Sequence, residues 1–352
     1  MVKLVTVITS TYNKGERNRA SVQSVLNQSF ADFEYIIVND GSPDSTKDIL
    51  REFSDPRLKT IHQENQGFTK TMVSIINQIE TPYIAIQGAG DISLPHRLER
   101  QVEYLQSNPN VGLVAGIAKR FSASSALSGF QSTQQFGFKK KQDIILYDSV
   151  DQMITTNIIN HGEVMLRTSA YREAGGYRTF FQYAQDRDLW LRILEKGYFI
   201  VRIPETFYIW LSDAKADITG NPVKAEKQAF YSLFAQYLAR QRELTGKDLL
   251  EENGSAAFEH YINNALNAAD KIEIVKRVFR NSLRSRHMLD EAIEIVGRHA
   301  PEHRFYKFLK LLRFMNKHVP YGGEICCWYY KQVERRFLQG RKKMSRLIES
   351  VI

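Results

Sequence analysis

Thr81-Pro-Tyr-Ile-Ala-Ile-Gln-Gly-Ala-Gly-Asp-Ile-Ser-Leu-Pro-His-Arg-Leu-Glu-Arg-Gln101 is the stretch that decides the fold. Tyr83–Ile86 is a short apolar run behind a proline, the pattern of a buried strand. It runs into Gln87-Gly88-Ala89-Gly90-Asp91. Glycines let the backbone turn sharply and approach a ligand closely. A helix carrying Arg97, Leu98, Gln101 and Leu105 is expected next, with Ser93 as its cap and Pro95 in its first turn. In open α/β sheets ligands sit just outside the carboxyl ends of the strands. Gly88–Asp91 is therefore a candidate ligand site, and an ordinary strand–turn–helix connection is the alternative.

The same alternation precedes it. Strands are predicted at Val2–Thr9, Phe33–Val38 and Leu58–His62, with helices around Val22–Leu26, over Thr46–Phe53 and over Gln66–Ile79. This order implies a parallel sheet with helices on both faces. No G-x-G-x-x-G follows the first strand, which argues against a dinucleotide-binding domain. Polar residues close three strands: Thr9 and Tyr12, then Asp40, then Asp91. An aromatic ring and a carboxylate suit a nucleobase, one stacking on it and the other accepting from a ring N–H. Taken singly, Tyr12 reads as a loop aromatic and Asp40 as a turn residue. Their joint placement favours the ligand reading.

Further strands are expected at Val111–Gly116, Val164–Arg167 and Tyr198–Arg202, the last leading into Pro204–Leu211. Phe121–Asp148 reads as an irregular, polar segment on the acceptor side. Asp186 opens a helix carrying Leu189, Ile193 and Leu194, and Asp188 and Arg192 stand in i, i+4 register. From Asn221 onward the chain reads as four to six helices.

The segments VTVITSTYN, YIIVNDGSPDST, ENQGFTKTM, TPYIAIQGAGDISLPHRLERQ and AGGYRTFFQYAQDRDLWLRILEKG, in this order, resemble the inverting family-2 glycosyltransferases of the GT-A fold. The resemblance covers roughly residues 3–212. It implies a GT-A domain over residues 1–219, with a nucleotide-binding half at 1–107 and an acceptor half at 108–219. A helical region over 220–352 would follow. It implies base contacts at Tyr12 and Asp40 with Thr9 nearby, a diphosphate lying over Gly88 and Gly90, and Asp186 as general base. His161, Glu163 and Gln185 fall in segments on the acceptor side.

The sequence departs from the family at three places. The usual Asp-Ala-Asp-Asp is Gly88-Ala89-Gly90-Asp91, so the acid that holds a divalent ion is Gly90. Asp91 is the remaining candidate ligand for Mg²⁺ or Mn²⁺, ions that need only one or two carboxylates plus phosphate oxygens. Without a metal, Asp91 would orient the donor instead. The Glu preceding the base is Gln185, and the His that some members carry beyond the last strand is missing from Trp210–Lys215.

The resemblance implies inverting transfer of a sugar from a nucleotide-diphosphate sugar to a hydroxyl of a glycan or lipid-linked acceptor, in envelope polysaccharide biosynthesis. The alternative is a catalytically impaired nucleotide-sugar-binding protein of the same fold. No run of 18 apolar residues and no Gln-x-x-Arg-Trp is present, against a processive synthase. The two cysteines, Cys326-Cys327, are adjacent and give neither a disulfide framework nor metal spacing. A cytoplasmic enzyme is expected.

Residues 301–352 hold six Lys, six Arg and four Glu, hence +8 of the chain's net +9. Within them Phe305, Phe308, Leu309, Leu312 and Met315 share one helical face, and Lys307, Lys310, Arg313 and Lys317 share the other. That pattern fits a helix lying peripherally on an anionic membrane, or one packed on the domain with a solvated basic face. No motif points to nucleic acid.

Overall fold

The computed structural model describes residues 3–122, 143–155, 157–212, 221–283 and 288–318. The elements run β1 (Val5–Thr11), α1 (Arg17–Leu26), β2 (Phe33–Asp40), α2 (Thr46–Arg51), β3 (Leu58–Gln63), α3 (Phe68–Ile76), β4 (Tyr83–Ile86), β5 (Ile92–Ser93), α4 (Arg97–Ser107) and β6 (Val111–Ser122). They continue with β7 (Ile145–Tyr147), α5 (Val150–Thr155), β8 (Met165–Arg167), α6 (Thr168–Glu173), α7 (Gln185–Glu195) and β9 (Phe199–Ser212). The remaining helices are α8 (Pro222–Thr245), α9 (Leu249–Asn253), α10 (Ala256–His260), α11 (Ala268–Ser282), α12 (Leu289–His299) and α13 (Arg304–His318).

The nine strands form one sheet in the order β3-β2-β1-β4-β8-β6-β9-β5, with β7 also paired to β9. The β3-β2-β1-β4 half is parallel throughout. β8 is antiparallel to both β4 and β6, while β6 and β9 run parallel. The carboxyl ends of β1, β2 and β4 therefore share one edge of the sheet, and the entry into β8 lies on that same edge. Val5, Val7, Phe33, Tyr35, Ile37 and Ala85 meet Val22, Val25, Leu98, Val102 and Leu105 in the core. Strands buried on both faces read as apolar runs rather than as alternation, which is why their positions follow from the sequence.

Three local expectations are corrected. Ser93 does not cap α4, which begins at Arg97 without a side-chain cap. Ile92 and Ser93 instead pair with Ile209 and Tyr208 of β9, and Leu94 N donates to Phe207 O at 2.7 Å. The open edge of β9 captures this stretch before a helix can start. The strand expected at Val111–Gly116 continues to Ser122, because β9 is its partner along that whole length. The helix expected from Gln66 starts at Phe68, because Gly67 ahead of it has φ 83°. Most of the 121–148 segment lies outside the described residues.

The chain divides into two compact units. Of the described residues, those between 3 and 212 together with 231–264 form the first, and 221–230 with 265–283 and 288–318 the second. In the first unit Asp188, fully buried, holds Arg192 at 2.7 Å and also Arg178. Arg178 reaches Asp248 at 2.7 Å, and Arg242 reaches Asp248 and Glu195, each at 2.7 Å. The i, i+4 pair expected on α7 is thus one link of a buried network.

In the second unit Asn267 and Asp270 form a capping box at the start of α11. Phe279 of α11 stacks on Phe305 of α13 at 4.1 Å. Phe305, Leu309 and Leu312 are buried, so the apolar face of α13 is packed within this unit. Leu311 (49% exposed) and Phe314 (57% exposed) remain outward.

Candidate active site

Gly88–Asp91 follows β4 and is organised by side chains from three other elements. Tyr208 of β9 donates its hydroxyl to Asp91 Oδ2 at 2.8 Å and accepts from Gly88 N at 2.9 Å. Asp91 Oδ1 accepts from Leu211 N at 2.9 Å. Gln87 Nε2 donates to Asp91 O at 2.8 Å, while its Oε1 accepts from Ser93 Oγ and from Arg97 Nη1. Arg97 is fully buried and spends its other donors on Ile86 O, Val164 O and Gln101 Oε1. Burial lowers its pKa to about 10, which leaves it cationic at neutral pH.

The two glycines have internal reasons to be glycine. A Cβ at Gly88 would lie 2.5 Å from Tyr208 Oη and 2.6 Å from Asp91 Oδ2. Gly90 has φ +79°, and a Cβ there would meet Arg17 Nε at 3.1 Å. Burial raises the Asp91 carboxyl to about pH 6 despite the Leu211 N–H and the Tyr208 hydroxyl.

The divalent ion expected at Asp91 does not fit the residues there. Asp91 stands there as a single carboxylate, each oxygen accepting one hydrogen bond from β9. Gly90 offers no side chain, and a guanidinium stands beside it. Among the described residues no group of three His, Cys, Asp or Glu side chains is placed to hold a metal.

Asp40, at the end of β2, is buried as well. Its Oδ1 accepts from Gln63 Nε2 at 2.8 Å and from Gln66 N at 2.9 Å, and its Oδ2 accepts from Gly67 N at 2.9 Å. It therefore pins the turn that opens α3 and leaves Oδ2 capacity for one further donor. Thr9 is likewise engaged, with Tyr35 Oη at 3.0 Å and Gln87 O at 3.1 Å. Tyr12, in the loop after β1, is 49% exposed and keeps an open ring face.

Past Gly67 the chain enters a cleft of about 250 Å³ lined by Gln66, Gly67, Phe68, Lys70, Thr179 and Gln182. Thr69 Oγ1 donates to Phe181 O at 2.7 Å and fixes the two walls together. The second wall leads through Ala184, whose φ of 53° is uncommon for a residue with a Cβ, into Gln185 and Asp186 of α7. One Asp186 oxygen accepts from Arg187 N at 2.8 Å. The other makes no hydrogen bond among the described residues.

His161 and Glu163 form a 3₁₀ turn just before β8. The His161 ring meets Phe68 edge-on at 5.3 Å, and its Nε2 lies 2.6 Å from Tyr177 Oη. Burial lowers the His161 pKa, and the negative charge of Asp186 opposes that shift. His161 thus belongs electrostatically with Asp186. Glu163 is fully enclosed, with Oε2 unpartnered, and burial lifts its carboxyl to about 8, so it is neutral at pH 7. Its Oε1 accepts from Asn160 Nδ2 at 3.5 Å, and its backbone oxygen accepts from Gln101 Nε2 at 2.7 Å.

Tyr208, Gln87 and Arg17 carry no site signal in the sequence.

The sheet order, with a parallel half followed by β8 reversed beside it, is that of a GT-A glycosyltransferase fold. The Pyrobaculum calidifontis mannosyltransferase PcManGT, solved in complex with GDP-Man and Mn²⁺, shares it with a TM-score of 0.53 at 15% identity, over 90% of this chain and 89% of that one. Residues 6–167 match the model of Glycosyl transferase family 2. Putative glycosyltransferase EpsE of Bacillus subtilis is 28% identical over 218 residues, 60% of this chain and 74% of EpsE. The putative teichuronic acid biosynthesis glycosyltransferase TuaG of the same organism is 27% identical over 237 residues, 65% of this chain and 86% of TuaG.

Proposed function

We propose that this chain is an inverting glycosyltransferase that moves a sugar from a nucleotide-diphosphate sugar to a hydroxyl of an envelope glycan or lipid-linked acceptor. The observation that carries the reading is Asp186. Its carboxylate stands in the first turn of α7, four residues beyond Gln182 of the cleft that the turn held by Asp40 also lines. One of its oxygens is fixed by the Arg187 N–H, and the other is left to accept a proton.

In this reading the base stacks on Tyr12, and a ring or exocyclic N–H donates to Asp40 Oδ2. The diphosphate lies along Gly88–Gly90 at the end of β4. Asp186 takes the proton of the acceptor hydroxyl as its oxygen bonds to the anomeric carbon. The bond to the diphosphate breaks on the opposite face, and the nucleoside diphosphate leaves with the electron pair. One displacement with one base inverts the anomeric centre, the geometric logic that also separates inverting from retaining glycosidases. The Gln185 amide precedes the base without adding a second negative charge. His161 and Tyr177 stand behind it on the acceptor side. Each Asp91 oxygen accepts one hydrogen bond from β9, so in this reading the carboxylate holds the loop after β4. In the proposed division of labour residues 1–219 bind and react, and 220–352 form a helical region.

A thermal-shift panel of UDP, GDP, ADP and dTDP, and of their common sugar conjugates, tests the donor class. A ligand present at 100 times its dissociation constant stabilises by about 2.7 kcal/mol. One nucleotide series should raise the melting temperature. A flat response to all of them would contradict the reading.

The acceptor side of the proposal extends to the membrane surface. None of the described helices is long and apolar enough to span a bilayer. Residues 301–352 carry +8, and α13 turns Leu311 and Phe314 outward together with Lys307, Lys310 and Lys317. Each Lys or Arg near an anionic surface contributes about 1 kcal/mol. The full chain should sediment with phosphatidylglycerol vesicles at low salt, and Lys307→Glu with Lys317→Glu should weaken this. Indifference to the vesicles would sink the membrane part and leave the donor chemistry standing. Deleting α13 would not be a clean test, because Phe305, Leu309 and Leu312 are core residues.

A further inference from the structure

Position 90 has lost the acid expected there, and the structure places a base against it. Arg17, the first residue of α1, packs its side chain on Gly90, with Nε and Cβ at 3.1 and 3.2 Å from where a Cβ of residue 90 would be. Arg17 Nη2 donates to Leu211 O, and Leu211 N donates in turn to Asp91 Oδ1 at 2.9 Å. Leu211 of β9 is thus gripped by Arg17 on its carbonyl and by Asp91 on its amide. Arg17 Nε is buried and makes no hydrogen bond among the described residues. A buried guanidinium N–H without an acceptor is costly, and such groups are ordinarily paired. Lys14, three residues earlier, adds a second positive charge whose field also reaches Asp91.

Resting on the nucleotide-sugar reading above, we infer that Arg17, supported by Lys14, supplies the positive charge that binds the donor's diphosphate and stabilises it as it departs, in place of a divalent ion. A guanidinium is permanently charged and presents several N–H groups in one plane, which suits phosphate oxygens. When the anomeric C–O bond breaks, its electron pair passes to a β-phosphate oxygen. The added negative charge is met by the guanidinium. Arg17 does not deprotonate, and no metal enters or leaves. The substitution is balanced in charge, since an acid that would hold a cation is absent and a fixed cation stands in the same place. An Asp at position 90 would pair with Arg17 instead of recruiting a metal.

Isothermal titration of the full chain with UDP, GDP, ADP and dTDP, and with the matching monophosphates, in excess EDTA and in excess Mn²⁺, tests this directly. At least one diphosphate should bind in EDTA about as tightly as in Mn²⁺. Arg17→Met should weaken that diphosphate about tenfold or more, the scale of one lost charge-assisted hydrogen bond. The monophosphate should be affected much less, and Arg17→Lys should recover part of the loss. Diphosphate binding that appears only with Mn²⁺ overturns the inference. So does an Arg17→Met variant that keeps wild-type diphosphate affinity. Equal loss of mono- and diphosphate affinity also overturns it, because Arg17 would then only shape the loop. If the wild type binds no nucleotide under either condition, the nucleotide-sugar reading itself falls, and this inference with it.

Discussion

Tyr208 and Asp91, 117 residues apart in sequence, share a hydrogen bond of 2.8 Å inside the protein. The same hydroxyl accepts from Gly88 N, so one side chain of β9 closes the loop after β4 on itself. The half-buried Asp91 carboxylate depends on that donor and on the Leu211 amide. Tyr208→Phe should therefore leave one carboxylate oxygen and the Gly88 N–H without a partner. The expected loss is about 1–3 kcal/mol for such an unpaired buried group, read by urea unfolding. Wild-type stability would mean that water replaces the hydroxyl.

Glu163 makes stability depend on pH in a defined direction. Its folded pKa of about 8 lies above its ordinary 4.5, with burial the main cause. The folded state therefore holds a proton that the unfolded state releases above pH 4.5. The resulting stabilisation is full below pH 4.5, declines as pH rises, and is gone above pH 8. The decline is at most about 1.4 kcal/mol per pH unit. Asp91 adds the same sign over the interval from 3.8 to about 6. Between pH 6 and 8 Glu163 contributes a falling slope, which His161, His62 and His303, all lowered by burial, oppose around and below their ordinary 6.5. Glu163→Gln should remove the falling contribution in melts across that range. A variant with the wild-type slope would assign the titration to another group.

The nucleotide site predicts two affinities. Tyr12→Ala removes a stacking face and Asp40→Ala a charged acceptor, each worth roughly 1–3 kcal/mol of nucleotide binding. Asp40→Ala should also cost stability, because three protein donors lose their acceptor. Tyr12→Ala should not. Calorimetry and thermal melts on both variants separate the roles. Unchanged affinity in both would move the base elsewhere.

How far the sequence carries depends on how local each feature is. The β1–β4 half is readable because Val5, Val7, Ile36, Ile37, Ile84 and Ala85 sit in short apolar runs between turn residues, a signal contained in a few positions. The exposed Tyr12 and the helix-opening Asp186 are readable from equally local patterns, a polar loop after a strand and an acid ahead of a periodic apolar face. β5 is not, since Ile92 and Ser93 become a strand only because Ile209 and Tyr208 arrive beside them. The roles of Arg97 and Arg17 are not either. A charged residue near a helix start reads as surface until the packing around it is known, and Arg97 proves to be fully buried. The engagement of Asp91 and Asp40 is likewise a tertiary fact. Their hydrogen bonds come from Leu211 and Tyr208 and from Gln63, Gln66 and Gly67, which no spacing rule links to them.

Asp186→Asn keeps the shape of the first turn of α7 and removes the proton acceptor. Transfer should fall by about 10²–10⁴, the usual contribution of a general base, with nucleotide affinity little changed. Turnover at the wild-type rate would remove Asp186 from the chemistry. A matching loss of affinity would make it a binding residue.

The most direct measurement is proton NMR of donor turnover with water as the only acceptor. UDP-glucose, UDP-N-acetylglucosamine and GDP-mannose would be supplied to the full chain, and the anomeric signals followed before mutarotation. The account predicts that at least one donor is cleaved, that the first free sugar has the configuration opposite to the donor's, and that Asp186→Asn abolishes its appearance. A first product with the donor's own configuration, or no cleavage of any donor by the wild type, would contradict it.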